Sequence, residues 1–115
     1  MFLGAEVDCP SPDRRGGTMT EEHRRRCRTA LWHWRLIERQ PGPENECWAH
    51  ALRQTAAYYE RRDPIRAGIL EQRYRRHLTE EQVQAQLHIG RTTYQKANTD
   101  LLSTLAVYAA REGVL

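Results

Sequence analysis

The stretch RTTYQK brings together Arg91, Thr92, Thr93, Gln95 and Lys96. Arginine and lysine donate to guanine O6 and N7, glutamine pairs with adenine N6 and N7, and threonine reaches a phosphate or a thymine methyl group. Lys96 is the single lysine of the chain, against seventeen arginines. If Tyr94 and Ala97 face a core, helical spacing turns residues 91, 92, 95, 96 and 99 toward solvent. The chemistry this suits is the reading of base edges in duplex DNA. A second set, Arg75, Arg76, Thr79, Gln82 and Thr99, suits phosphate contacts, and the amides that open the two nearby helices add donors.

Such side chains act only if a short helix and a tight turn project them from the body of the protein. Thr79-Glu80-Glu81-Gln82 fits a capping box, with Gln82 reaching back to the cap, and Leu78 and Val83 are spaced as a hydrophobic staple. Val83 and Leu87 point one way, Ile89 lies in the turn, and a last helix begins near Arg91 and ends at Gly113. Its inward line is Tyr94, Ala97 (or Asn98), Leu101, Leu105 and Tyr108. Before these, Asp63 is a good N-cap with Pro64 at the first helical position, where the missing N–H costs nothing. The helix behind it carries Ile65, Ile69, Leu70 and Tyr74 as far as His77.

Upstream, Thr20 caps a first helix with Glu21 and Glu22 in its opening turn. Cys27, Leu31, Trp34 and Ile37 form one apolar stripe, and Trp32 and Leu36 form a neighbouring one. RQPGPEN breaks the chain, and a second helix runs from about Pro43 to Arg61 with Trp48, Leu52, Thr55 and Tyr59 inward. No strand candidate or internal repeat is visible. The expected fold is all-α, a small helical bundle with a C-terminal helix-turn-helix and a long last helix. Its parts are a disordered leader over 1–18, an N-terminal helical pair over 19–62 and a helix-turn-helix DNA-binding region over 63–115. In frame, RRGGTM is what a purine-rich ribosome-binding sequence and a start codon would encode, so Met19 is the expected biological start.

At 115 residues and 13.5 kDa the chain suits one small domain. With 39% hydrophobic residues and a mean hydropathy of −0.83, its core is thin enough to gain from a second subunit. No apolar run could span a bilayer and no secretory signal is visible, so no membrane partner and a cytoplasmic location are expected. The formal charge is +3, and the whole excess follows Glu60, where nine Arg and Lys face six acids. A bias of this size favours phosphate contacts without demanding them.

DPIRAGILEQRYRRHLTEEQVQAQLHIGRTTYQKANTDLLSTLA resembles the promoter-reading fourth region of bacterial sigma factors. More narrowly, it is similar to phage late-gene transcription regulators of the ArpU and RinA type. These share a helix ending in an aromatic residue, a T-E-E cap, a Ser/Thr/Tyr-bearing recognition helix and a long apolar tail such as LLSTLAVYA. The upstream LWHW is also compatible with phage antiterminators of the Q type. The resemblance covers Asp63 to about Ala109. It implies a sequence-specific DNA-binding regulator of phage or prophage late genes, with double-stranded DNA and RNA polymerase as partners and a homodimer that would suit a two-half-site operator. The chain departs from the pattern at Gln84, where the families carry a small residue, and at His88 and Gly90, where they carry Gly and Ser. Histidine adopts left-handed backbone angles more readily than most residues, so the turn is expected to keep its shape.

The remaining features read more plainly. RRRCR, Arg24 to Arg28, is a solvated helix face, and Trp32, Trp34 and Trp48 are core or interface residues. Cys9, Cys27 and Cys47 form no CxxC pair, and His23 with Cys27 is at most half a metal site, so neither metal nor cofactor is expected. His33, His50, His77 and His88 pair with nothing catalytic. No nucleophile–base pair or phosphate-cradling glycine loop appears, so the chain is read as a non-enzyme. The competing readings are a helical protein-assembly module of packaging or scaffold type, and an antiterminator that binds RNA polymerase.

Overall fold

Three of the helices start on a side chain that accepts from their first amides. The computed structural model describes residues 20–115, so the leader and Met19 lie outside the described residues. Helix α1 (Glu21–Trp32) opens on Thr20, whose Oγ1 accepts from His23 N at 3.0 Å. After His33 a short α2 (Trp34–Arg39) follows. Gly42, at φ 138°, leads into Pro43 and the long α3 (Pro43–Arg62). Asp63 Oδ1 then accepts from Ile65 N and Arg66 N, both at 3.1 Å, to open α4 (Pro64–Ile69). The fourth helix continues as a wider π turn over Leu70–Arg75. Last come α5 (Glu80–Leu87) and α6 (Arg91–Arg111), which ends at Gly113 with φ 85°. The described residues contain no strand, and the fold is an all-α small bundle.

One core draws on every helix. Cys27 and Leu31, Trp34, Leu52, Ile69, Val83, and Leu101 with Leu105 are all essentially inaccessible to solvent. Fully burying a side chain of this size is worth about 1.5–3 kcal/mol, so the cluster is the main source of stability. Helix α6 packs along α3, α1 and α4 and forms the axis of the bundle. Its two buried polar neighbours are satisfied: Tyr59 shares a hydrogen bond with Thr104 at 2.6 Å, and Thr55 donates to Ala51 O at 2.9 Å. Burial raises the Tyr59 hydroxyl to about 12, with the Thr104 bond opposing the shift.

The first helix differs from its expected continuous form. His33, at φ −103° and ψ 24°, interrupts it after Trp32. Residues two apart on an unbroken helix point about 200° apart. With this break, Trp32 and Trp34 both meet the π turn: Arg73 lies 4.7 Å over the Trp32 ring and Arg75 lies 4.7 Å over the Trp34 ring. Trp34 is buried, with Nε1 donating to Glu38 Oε2 at 3.0 Å. Trp32 and Leu36, expected on a second apolar stripe, are instead 36% and 48% exposed.

No helix of the described residues is long and apolar enough to cross a membrane. Among the same residues no cluster of His, Cys, Asp and Glu is placed to hold a metal ion. Cys27 is a core residue whose thiol burial pushes up to about 12, against the pull of Arg26.

Candidate nucleic-acid interface

Three helices set the position of the Arg91–Lys96 turn. The capping box at the start of α5 is complete: Thr79 Oγ1 accepts from Gln82 N at 3.1 Å, and Gln82 Oε1 accepts from Thr79 N at 2.9 Å. Val83 is fully buried, and Leu78 and Leu87 pack partly buried against the core. At the other end of α5, His88 takes the left-handed angles φ 57° and ψ 46°, and Ile89 N donates back to Gln84 O at 3.1 Å. The chain then enters α6 through Gly90 in extended geometry.

The approach of α5 to α4 depends on Gly68. A β carbon at that position would lie 2.8 Å from Leu87 Cδ2, inside van der Waals contact. The glycine on α4 thus makes room for the Leu87 side chain of α5. Sequence reasoning on the α5 pattern alone passed over it. It also passed over Arg66, which donates to Asp63 Oδ2 at 2.6 Å and to Asp100 Oδ2 at 2.5 Å. Burial works against the Arg66 charge, but its bonds to Asp100 and Asp63 hold its ionisation above the ordinary value. That network ties the start of α4 to the middle of α6.

Tyr94 and Ala97 of α6 are buried, as the inward line requires. The Tyr94 hydroxyl has no partner in hydrogen-bonding geometry; Arg73 is close by, and burial raises its pKa. Asn98 accepts a hydrogen bond from the Tyr74 hydroxyl, so the second turn of α6 is pinned to the π turn. With that side fixed inward, Arg91, Thr92, Thr93, Gln95, Lys96 and Thr99 are all exposed. Neither Arg91 nor Lys96 has a carboxylate within ion-pairing distance among the described residues. Helix α6 also has no side-chain cap and no acid in its first turn, unlike α1 and α5. Its positive dipole end and free amides are thus left uncompensated.

The phosphate set divides. Arg76 is exposed and unpaired among the described residues. Thr79 and Gln82 are exposed, with their oxygens used by the capping box, and Thr99 Oγ1 donates to Gln95 O at 3.1 Å within its own helix. Arg75 is drawn toward the body of the protein. It lies over Trp34 and pairs with Glu38 at 3.6 Å and Glu71 at 3.7 Å. The Trp34 ring together with these two carboxylates holds it there, a pairing across the bundle that local sequence does not reveal.

The loop before α5 is held from α1. Arg73 Nη1 donates to Leu78 O at 2.8 Å while its guanidinium covers Trp32. His77, at φ 58°, stacks on the Trp32 ring with centroids 3.9 Å apart and planes 6° from parallel, and its Nε2 lies 3.0 Å from Trp32 O. The exposed tryptophan therefore clamps the segment that leads into the capping box. Comparison with protein-family models, curated proteins and solved structures returns no match to this chain.

Proposed function

We propose that the chain is a sequence-specific, double-stranded-DNA-binding transcription regulator of the helix-turn-helix class, acting in the cytoplasm on phage or prophage late genes. Helix α4 supports, α5 positions and α6 reads. The observation that carries this reading is the first turn of α6: exposed, unpaired and uncapped, yet held rigidly by buried Tyr94 beneath it. In a major groove, Arg91, Gln95 and Lys96 meet base edges, Thr92 and Thr93 meet bases or methyl groups, and Thr99, Thr79, Gln82 and Arg76 face the phosphates. Arg75 adds positive potential and makes direct contact only by leaving Trp34. The likeness to the ArpU and RinA regulators supports RNA polymerase as a partner, and the thin core supports a homodimer. Neither a metal nor a cofactor is part of the reading, and the protein acts by binding and not as an enzyme.

The test is an electrophoretic shift with duplex DNA from around its own gene, repeated over a salt series. Specific binding is expected, lost on Arg91→Ala combined with Lys96→Ala, with a steep salt dependence. A second reading is favoured by one observation: Trp32 and Leu36 leave apolar surface exposed. That face would serve a protein-assembly module or an antiterminator held on RNA polymerase. No shift at low salt together with a stable oligomer by light scattering would select the assembly module.

A further inference from the structure

We propose that α1 belongs to the same nucleic-acid face, with Arg28 taking a phosphate beside the duplex segment that α6 reads. The inference rests on the DNA-binding reading and adds a contact from the N-terminal half of the chain. The sequence alone favours treating RRRCR as a solvated helix face, but the structure separates its members.

Burial of Cys27, Ala30 and Leu31 fixes which side of α1 faces the core, and α1 packs against both α6 and the π turn of the fourth helix. Three of its four arginines already have partners: Arg24 pairs with Glu21 at 3.8 Å, Arg25 with Glu22, and Arg26 with Glu44 at 3.8 Å. Arg28 is exposed and has no carboxylate within ion-pairing distance among the described residues. It is the unspent cation of this helix.

Its location gives that charge a use. Arg28 lies one helical turn before Trp32 on the same side of α1, and Trp32 meets Arg73 of the π turn and His77 just after it, while Tyr74 of that turn donates to Asn98 in the second turn of α6. Arg28 therefore stands on the side of α1 that meets the π turn, and that turn is itself bonded to the second turn of α6. A major groove is about 12 Å wide, so a helix lying in it has a phosphate backbone on either flank. A free guanidinium beside that helix can take one phosphate in a bidentate pair.

The test measures binding of a labelled mixed-sequence duplex of about 30 base pairs, roughly three turns, by fluorescence anisotropy across a salt series. Removing one phosphate contact should lower the salt slope by about one unit and weaken binding alike for all sequences. Arg28→Ala should do so, Arg28→Lys should restore most of the slope, and Arg24→Ala should leave it unchanged because Arg24 is already paired. An unchanged slope for Arg28→Ala, with the slope still falling for Arg91→Ala plus Lys96→Ala, overturns the Arg28 contact and leaves the α6 reading standing. Equal losses for Arg24→Ala and Arg28→Ala overturn it too, because the effect would then be general charge. A wild-type chain that binds no duplex at low salt overturns both.

Discussion

Arg66 on α4 holds Asp100 on α6 by two bonds to a single carboxylate oxygen, from Nε at 3.1 Å and from Nη2 at 2.5 Å. The same guanidinium holds Asp63, the cap of α4, so one side chain sets both the start of the supporting helix and its angle to the reading helix. Both partners keep about a fifth of their side-chain surface in water, which moderates the energy. Arg66→Ala leaves two half-buried carboxylates facing each other. It is expected to cost about 1–2 kcal/mol, measured as the shift in a urea midpoint. A double-mutant cycle with Asp100→Asn should recover a coupling energy of similar size; additive effects would mean that the pair does not fix the angle.

Gly68 makes a second junction, and there two effects oppose one another. Alanine in a helix interior is favoured over glycine by about 1 kcal/mol, while the new methyl group must push the end of Leu87 aside. Gly68→Ala should therefore change stability by less than about 1 kcal/mol. Gly68→Leu should cost about 2–3 kcal/mol through overpacking and should weaken DNA binding by moving α5. Equal stability and affinity for wild type and Gly68→Leu would show that the close approach does not matter.

Two histidines sit at left-handed backbone angles, with different consequences. His88 is exposed in the turn, and no side-chain bond of its own opposes replacement. Glycine relieves the backbone penalty there, so His88→Gly is expected to stabilise the fold by about 0.5–1 kcal/mol. His77→Gly relieves the same penalty but loses the stack on Trp32 and the bond to its carbonyl. It should be neutral or destabilising by about 1 kcal/mol in thermal melts. The opposite ranking would contradict the clamp.

Cys27 and Tyr59 give stability an alkaline limit. Burial raises their folded values to about 12, from ordinary values of 9.0 and 10.0. A raised folded value means that the protonated forms are favoured by folding. The contribution is full below the ordinary values and is lost as pH climbs toward the folded ones. The urea midpoint should be flat near neutrality and fall above about pH 9.5, with these two groups contributing roughly two of the protons released on unfolding near pH 11 and the buried Tyr74 and Tyr94 adding to them. Native Cys27 should also resist alkylation until the chain unfolds. A midpoint constant through pH 11 would contradict the buried positions.

Local signals written within a few residues could be read from the sequence. Thr20, Asp63 with Pro64, and Thr79 with Gln82 cap the expected helices, His88 adopts the left-handed turn, and Tyr94, Ala97, Leu101 and Leu105 line the buried side of α6. The exposed positions of Arg91, Thr92, Gln95, Lys96 and Thr99 followed from that buried line. What could not be read depends on residues far apart in the chain. At the break at His33 and the π turn at Leu70–Arg75, Trp32 and Trp34 meet Arg73, His77 and Arg75 across the bundle. Helical periodicity placed Trp32 and Leu36 on an apolar stripe because it has no means of registering a break that tertiary contacts impose. Gly68 and the Arg66 network were hidden for the same reason, since their partners lie about twenty to thirty-five positions away.

The central claim is that the first turn of α6 enters a groove of duplex DNA, and an amide-resolved titration tests it most directly. Isotope-labelled protein would be followed by NMR while a duplex selected from random sequence by the protein itself is added. The expected footprint is a contiguous set of shifts from Arg91 to Thr99 with a second set around Thr79, and it should collapse in the Arg91→Ala, Lys96→Ala variant. Shifts confined to the Trp32–Leu36 face, or a selection that enriches no sequence while the folded spectrum stays unchanged, would contradict it.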